Sequence, residues 1–316
     1  MGISRRDLLK GAAVVGAAAA VAPDASAREK REVLPEAVGM LFDSTLCVGC
    51  RACQTACKVA NGLPPDAVQA NGGVYDAPVD LNATTKNVIK ALPVGDGVQY
   101  MKQQCMHCVD PSCVSACMLG ALHKEGEGTR TFKGEKKGSG IVLWDKYTCV
   151  GCRYCQIACA FNVPKFQWYE AFASIVKCEL CRHRRDPAKG GVKAVANPAC
   201  AEVCPREAVL YGKRSELLAE AKRRVAADPR HYNPHVYGEK EGGGTQVLYP
   251  AAAGTTFEQL GLPALGPESA AHFSEGVSHA PYVHGFTPIA LYAGMAWVIR
   301  RNKRKEAIAQ GKEAGK

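Results

Sequence analysis

The 316-residue sequence holds no set of residues equipped to make or break a covalent bond. It has no nucleophile accompanied by a general base and an orienting group, and no dinucleotide-binding fingerprint. Gly242-Gly243-Gly244-Thr245 lacks the Gly-Lys-Ser/Thr ending of a phosphate loop and reads as a turn between Val236-Tyr237 and Val247-Leu248-Tyr249. No nucleic-acid reader motif or aromatic platform accompanies the basic residues, so the formal charge of +10 is not a nucleic-acid footprint. Nor is any cysteine spared for nickel or another active-site metal, because one repeated pattern uses all sixteen.

Cys47, Cys50, Cys53 and Cys57 read C-x2-C-x2-C-x3-C, and Cys149, Cys152, Cys155 and Cys159 repeat it. Cys105, Cys108, Cys113 and Cys117 read C-x2-C-x4-C-x3-C, while Cys178, Cys181, Cys200 and Cys204 read C-x2-C-x18-C-x3-C-P. Three thiolates on one tight turn can hold three corners of an Fe4S4 cube. The fourth cysteine begins a helix that leads away, so it must reach a different cube, as in two-cluster ferredoxins. Four groups therefore predict four [4Fe-4S] clusters in two reciprocal pairs. Structural zinc would need four ligands converging on one ion, usually from two separated hairpins, and three of the groups lack that arrangement. Disulfides suit an exported chain, yet one of 316 residues can bury an ordinary core without such staples.

Charge and the two chain ends fit the same reading. Each cluster with four thiolates carries about −2 when oxidised, so four offset about 8 positive charges. Ser4-Arg5-Arg6-Asp7-Leu8-Leu9-Lys10, the alanine-rich stretch Gly11 to Val21, and Ala25-Ser26-Ala27 form a twin-arginine signal with its cleavage site. Arg28 is then the first mature residue. That route exports folded proteins, so thiols already occupied by cofactor cross without forming disulfides. Pro281 to Ile299 is a 19-residue apolar stretch, about 28 Å as a helix against a hydrocarbon layer of about 30 Å. It is expected to span a membrane, with an interfacial or docked helix as the alternative. Arg300, Arg301, Lys303, Arg304 and Lys305 follow it, which places the tail in the cytoplasm and the cysteine-bearing part outside.

Along the chain, residues 28–39 read as an extended lead-in. Met40 to Asp43, Ala121 to His123, Ile141 to Asp145 and Ala208 to Tyr211 read as short strands flanking the cysteine groups, a strand–loop–helix alternation found four times. Residues 58–104 read as an irregular insertion and Gly126 to Gly140 as a hairpin tip. Ser215 to Ala226 reads as a packing helix with Ser215 as N-cap. Gly49 and Gly151 let backbone N–H groups approach cluster sulfurs. His107 is read as a supporting or surface residue rather than an iron ligand. Arg51, Arg153 and Arg182-His183-Arg184-Arg185 are either potential-raising charges or solvated surface, and Trp144 and Trp168 are packing residues.

These motifs resemble the polyferredoxin subunits of membrane-bound respiratory oxidoreductases. Residues 39–47 (GMLFDSTLC), 104–111 (QCMHCVDP), 177–181 (KCELC) and 238–245 (GEKEGGGT) are most similar to the iron–sulfur subunits of hydrogenase-2-type nickel–iron hydrogenases. The resemblance implies an α+β fold of two nested bacterial ferredoxin-like (dicluster) units with a C-terminal membrane helix. It implies cluster 1 on Cys47, Cys50, Cys53 and Cys204, cluster 2 on Cys57, Cys178, Cys181 and Cys200, cluster 3 on Cys105, Cys108, Cys113 and Cys159, and cluster 4 on Cys117, Cys149, Cys152 and Cys155.

The expected organisation is a signal peptide over 1–27, a first unit over 28–104 with 160–230, and a second unit inserted at 105–159. A loop-rich, partner-contacting segment over 231–280 that wraps a partner or the domains themselves, a transmembrane helix over 281–299 and a basic cytoplasmic tail over 300–316 complete it. Only Cys204 is followed by the proline usual in the family; Lys58, Met118 and Ala160 follow the other closing cysteines. The implied role is a non-catalytic electron conduit on the periplasmic side of the membrane. It would receive electrons from small and large hydrogenase subunits oxidising H2 and deliver them to a quinone-reactive integral membrane subunit. A formate dehydrogenase or molybdopterin reductase subunit is the alternative within the class, and a zinc-stabilised structural adaptor the alternative outside it.

Overall fold

Short strands and shorter helices carry the cysteines, and long-range strand pairing holds them together. The computed structural model describes residues 30–66, 78–126, 138–170, 174–185, 197–275, 293, 294, 296–301 and 304. The chain divides into one unit over residues 29–272 and another formed by 1–28 with 273–316.

In the larger unit β1 (Val38–Phe42) leads into the first cysteine group and α1 (Ala52–Ala60) leaves it. The hairpin β2 (Val88–Val94) and β3 (Gly97–Gln103) follows, then α2 (Ser112–Ser115), β4 (Leu122–Lys124), β5 (Val142–Trp144) and α3 (Tyr154–Ile157). Next come β6 (Lys165–Phe166), β7 (Ile175–Val176), α4 (Arg182–Arg185), α5 (Ala199–Glu202), β8 (Val209–Lys213), α6 (Arg214–Ala227) and β9 (Val247–Leu248). β1 is the central strand of a three-stranded sheet, antiparallel to β8 and parallel to β9. Met40, Leu41 and Phe42 are at most 1% exposed, as expected of a strand covered on both faces. β4 pairs with β5, β6 with β7, α1 packs on α5, and α2 on α3.

Two expectations change, and one of two alternatives for 231–280 is met. The insertion over 58–104 is not irregular throughout: β2 and β3 close a seven-rung hairpin around Gly95-Asp96, a two-residue turn suited to antiparallel strands. The helix after β8 begins at Arg214, with Lys213 as N-cap and no side-chain cap, so Ser215 does not cap it. Within 231–280, Tyr232, Val236, Tyr237, Tyr249, Ala251 and Leu260 are buried in the unit's own core, so this segment wraps the cysteine-bearing body. Arg214 anchors it, donating to the carbonyls of Thr245 at 2.6 Å, Gly238 at 3.1 Å and Glu239 at 3.3 Å.

The signal segment 1–27 and most of Pro281 to Ile299 lie outside the described residues. Among the described residues no helix is long and apolar enough to cross a membrane. Residues 293, 294, 296–301 and 304 are helical, with the Arg301 guanidinium 5.4 Å from the Trp297 ring centre.

Candidate functional site

All sixteen cysteines are free thiols on loops and the short helices that leave them, Cys50 and Cys152 being exposed. Each C-x2-C turn contains left-handed residues: Gly49 (φ 71°) and Arg51 (59°), His107 (47°), Gly151 (72°) and Arg153 (66°), Leu180 (48°) and Cys181 (51°). Such residues turn successive N–H groups to one side and make a concavity that favours anions. The N–H of Leu180 donates to Cys178 Sγ at 3.3 Å, and those of Gly49 and His107 donate to Cys47 and Cys105. At Gly49 a side chain is also excluded sterically, because a Cβ would lie 2.2 Å from the Tyr100 ring.

The helices then carry the chain onward. Cys53, Cys113, Cys155 and Cys200 are buried at or near helix starts, and Cys57, Cys117, Cys159 and Cys204 follow four residues later. Four residues of helix advance the chain about 6 Å. Strand register supplies the distant partners. Phe42 pairs with Val209, so Cys47, five residues beyond one, and Cys204, five before the other, leave the same end of the pair. Leu122 pairs with Trp144, and the same count relates Cys117 to Cys149.

The thiols gather in four sets. Burial pushes Cys47 up and Cys53 to about 11, and the charges of Cys204 and Cys50 act on both. Burial raises Cys57 and Cys200 to about 12; Cys178 and Cys181 act on both. Cys105 is pushed to about 11 and Cys108 and Cys113 well above their ordinary range by burial, with Cys159 acting on each. Cys155 rises to about 12 by burial, with Cys117, Cys149 and Cys152 beside it.

Cys47, Cys50, Cys53 and Cys204 line one apolar cavity, and Cys117, Cys149, Cys152 and Cys155 line another of about 250 Å³ beside Trp144 and Ile175. The first three sets follow one another in space. Lys102 is close enough to bear on Cys53 of the first and on Cys57 and Cys200 of the second, and Cys178 of the second bears on Cys105 of the third.

Buried thiols of this kind are neutral when empty and must lose their protons to bind iron. The surroundings favour that anionic state. Lys102 is fully buried, donating from Nζ to Gln104 Oε1, and the charged groups acting on it are cysteines. Lys177 is buried as well, donating to the carbonyls of Val142 and Cys178, and it bears on Cys105 and Cys113. Lys124 donates to the Cys108 carbonyl at 2.8 Å. Cations this deep require a compensating anion, and thiolate-ligated iron–sulfur cubes provide one. Among the described residues no three His, Cys, Asp or Glu converge closely enough to hold a single metal ion, the arrangement that structural zinc requires. The residues present thus fit [4Fe-4S] cubes.

Sequence reasoning missed the buried lysines. The available signal was a lone Lys three residues before Cys105 and another directly before Cys178. His107 is fully buried and its Nδ1 accepts the Val142 N–H at 3.1 Å, a supporting rather than a surface position. Arg182 and Arg184 are paired with Glu125 at 2.6 Å and Glu202 at 2.9 Å. Arg153 lies over Trp168, 4.3 Å from its ring centre, and Trp168 is 63% exposed.

Residues 97–214 match the 4Fe-4S dicluster domain family, and residues 2–22 match the twin-arginine translocation signal. The chain is 38% identical to the hydrogenase-2 operon protein HybA of Escherichia coli O157:H7 over 96% of its own length and 97% of that protein's. It is 35% identical to the formate dehydrogenase-O iron–sulfur subunit of Escherichia coli K12, over 68% of this chain and 66% of that one. It is also 31% identical to the formate dehydrogenase iron–sulfur subunit of Haemophilus influenzae, over 78% and 72%.

Proposed function

The chain belongs to the family of iron–sulfur electron-transfer subunits that includes HybA and the formate dehydrogenase iron–sulfur subunits, and from that premise we propose that it is the four-cluster conduit of a periplasm-facing nickel–iron hydrogenase. In this reading the chain receives electrons from catalytic small and large subunits oxidising H2 and delivers them to a quinone-reactive membrane subunit. Bound clusters supply one-electron exchange, and the chain has no bond-making residues of its own. The observation that carries the reading is the gathering of the cysteines into four sets of four, each drawing three members from one group and one from another.

The ligand sets proposed are Cys47, Cys50, Cys53 with Cys204; Cys57 with Cys178, Cys181, Cys200; Cys105, Cys108, Cys113 with Cys159; and Cys117 with Cys149, Cys152, Cys155. They make two nested ferredoxin-like units, with 105–159 inserted into the first. The first and fourth sets adjoin cavities and would serve as the two points of electron entry and exit, while the second and third are interior. Backbone N–H groups, burial and nearby lysines set the potential at each site. Export by the twin-arginine signal, and anchoring through Pro281 to Ile299 with a cytoplasmic tail, complete the proposal. Hydrogenase is favoured over formate dehydrogenase because the HybA match covers 96% of the chain, against 68% and 78% for the two formate dehydrogenase subunits.

The test is substitution at Cys204 in the native complex, isolated without oxygen. In wild type this subunit is expected to contribute about sixteen iron and sixteen sulfide, with nickel in the co-purifying subunit. Cys204→Ser should alter the same paramagnetic signal as Cys47→Ser, and Cys178→Ser a different one. If Cys204→Ser instead matches Cys178→Ser, the ligand sets are wrong. Molybdenum in place of nickel overturns the hydrogenase assignment, and zinc in place of iron overturns the whole reading.

A further inference from the structure

Four lysines are buried, Lys58, Lys102, Lys124 and Lys177; Lys58 pairs with Asp66 at 2.7 Å, and Lys102 and Lys177 are the two placed between cysteine sets. Lys102 lies on β3, held by pairing with Ile89 and by the Tyr249 hydroxyl, which donates to its carbonyl at 2.8 Å. Its side chain is fully buried, and Gln104, its one neutral partner, donates in turn to Met40 Sδ at 3.0 Å. The charged groups acting on it are cysteines of two sets, Cys53 of the first and Cys57, Cys178 and Cys200 of the second. Lys177 occupies the next interval. Its Nζ reaches the carbonyl of Cys178 in the second set at 3.1 Å, and it bears on Cys105 and Cys113 of the third.

We propose that Lys102 and Lys177 are fixed cations interleaved with the cubes, Lys102 raising the potentials of the first and second clusters and Lys177 those of the second and third. This rests on the ligand sets proposed above. A thiolate-ligated cube is anionic and gains one more negative charge on reduction, with no proton needed if a positive charge is already in place. In a low-dielectric interior that extra charge also repels the neighbouring cube strongly. A lysine between two cubes stabilises the reduced form of both and weakens their mutual repulsion. Electron occupancy of the interior sites is thereby less dependent on the state of their neighbours. At the fourth site neither lysine is among the principal groups acting on Cys155.

Stepwise reductive titration of the iron-replete native complex, read by electron paramagnetic resonance, tests the assignment. Lys102→Met is expected to retain wild-type iron. At a fixed potential it should change the oxidised-to-reduced ratio of two clusters at least tenfold toward oxidised, about 59 mV for one electron, and leave the fourth unchanged. Lys102→Gln, which keeps a polar partner for Gln104 without the charge, should do the same, and Lys102→Arg should restore both potentials. Lys177→Met should shift a different pair that shares one member with the first. Unchanged potentials in iron-replete Lys102→Met or Lys102→Gln would overturn the proposal, as would an equal shift of all four clusters. Neither result touches the ligand sets, which the Cys204, Cys47 and Cys178 substitutions judge separately.

Discussion

Replacing Gly49 by alanine asks what limits the loop of the first site, the backbone alone or the backbone together with the ring of Tyr100. Gly49 and Gly151 occupy equivalent turns with φ of 71° and 72°, so alanine carries the same left-handed penalty at each, about 1–2 kcal/mol. Their surroundings differ. A Cβ at Gly151 lies 3.3 Å from Phe166 Cζ, a contact relieved by a few tenths of an ångström, whereas a Cβ at Gly49 lies 2.2 Å from Tyr100 Cε1. Overpacking of that kind costs a further roughly 1–3 kcal/mol. The expected losses are therefore about 1–2 kcal/mol for Gly151→Ala and about 2–5 kcal/mol for Gly49→Ala. At about 2–4 °C per kcal/mol, the apparent midpoint of thermal bleaching near 400 nm falls about 2–8 °C for the first and about 4–20 °C for the second. The assay compares variants anaerobically at one scan rate, because a cluster protein does not unfold as a simple two-state system. Tyr100→Ala removes the obstructing ring, so Gly49→Ala should cost about 1–3 kcal/mol less in that background. Equal midpoints for the two glycine variants, with no coupling to Tyr100, would refute the reasoning.

Two other perturbations have defined outcomes. Arg214→Ala removes a donor from the carbonyls of Thr245, Gly238 and Glu239, of which Gly238 keeps the Thr245 N–H at 2.8 Å; it should destabilise the protein by about 2–5 kcal/mol and make 238–245 the first site of limited proteolysis. Arg214→Lys should recover only part, since one ammonium cannot reproduce the guanidinium fork. Oxidative removal of iron should abolish the near-ultraviolet circular dichroism and leave the chain protease-sensitive, because Lys102 then lies buried beside neutral thiols. A stripped protein that keeps its native dichroism would contradict the assigned role of the clusters as counter-charge.

The chemistry of the site was legible because a tight turn is a local property: C-x2-C spacing, Gly49 and Gly151 describe a loop without reference to the remainder of the chain. The strands around Met40, Leu122, Val142 and Val209 were legible for the same reason, as short apolar runs beside such turns. Which loop meets which is not local. It depends on register, and nothing near Cys47 announces that Phe42 will pair with Val209. The hairpin at 88–103 escaped notice because Pro93 and the polar residues Lys90, Gln99 and Lys102 obscure its alternation, although Gly95-Asp96 marks its turn. Lys102 and Lys177 illustrate the deeper difficulty. A lysine is ordinarily a surface residue, and only the anions that gather around it make its burial reasonable.

The central position of β1 also governs when the molecule can be finished. At about 5–20 residues per second of synthesis, Met40 waits about 10–40 s for its partner Val247 to leave the ribosome, and Tyr211, on its other side, appears only shortly before. Until then the first strand has both edges open, and Cys47 has no Cys204 beside it. Closure is therefore a late event of synthesis, and a truncated product that lacks the last strand leaves that edge of β1 open.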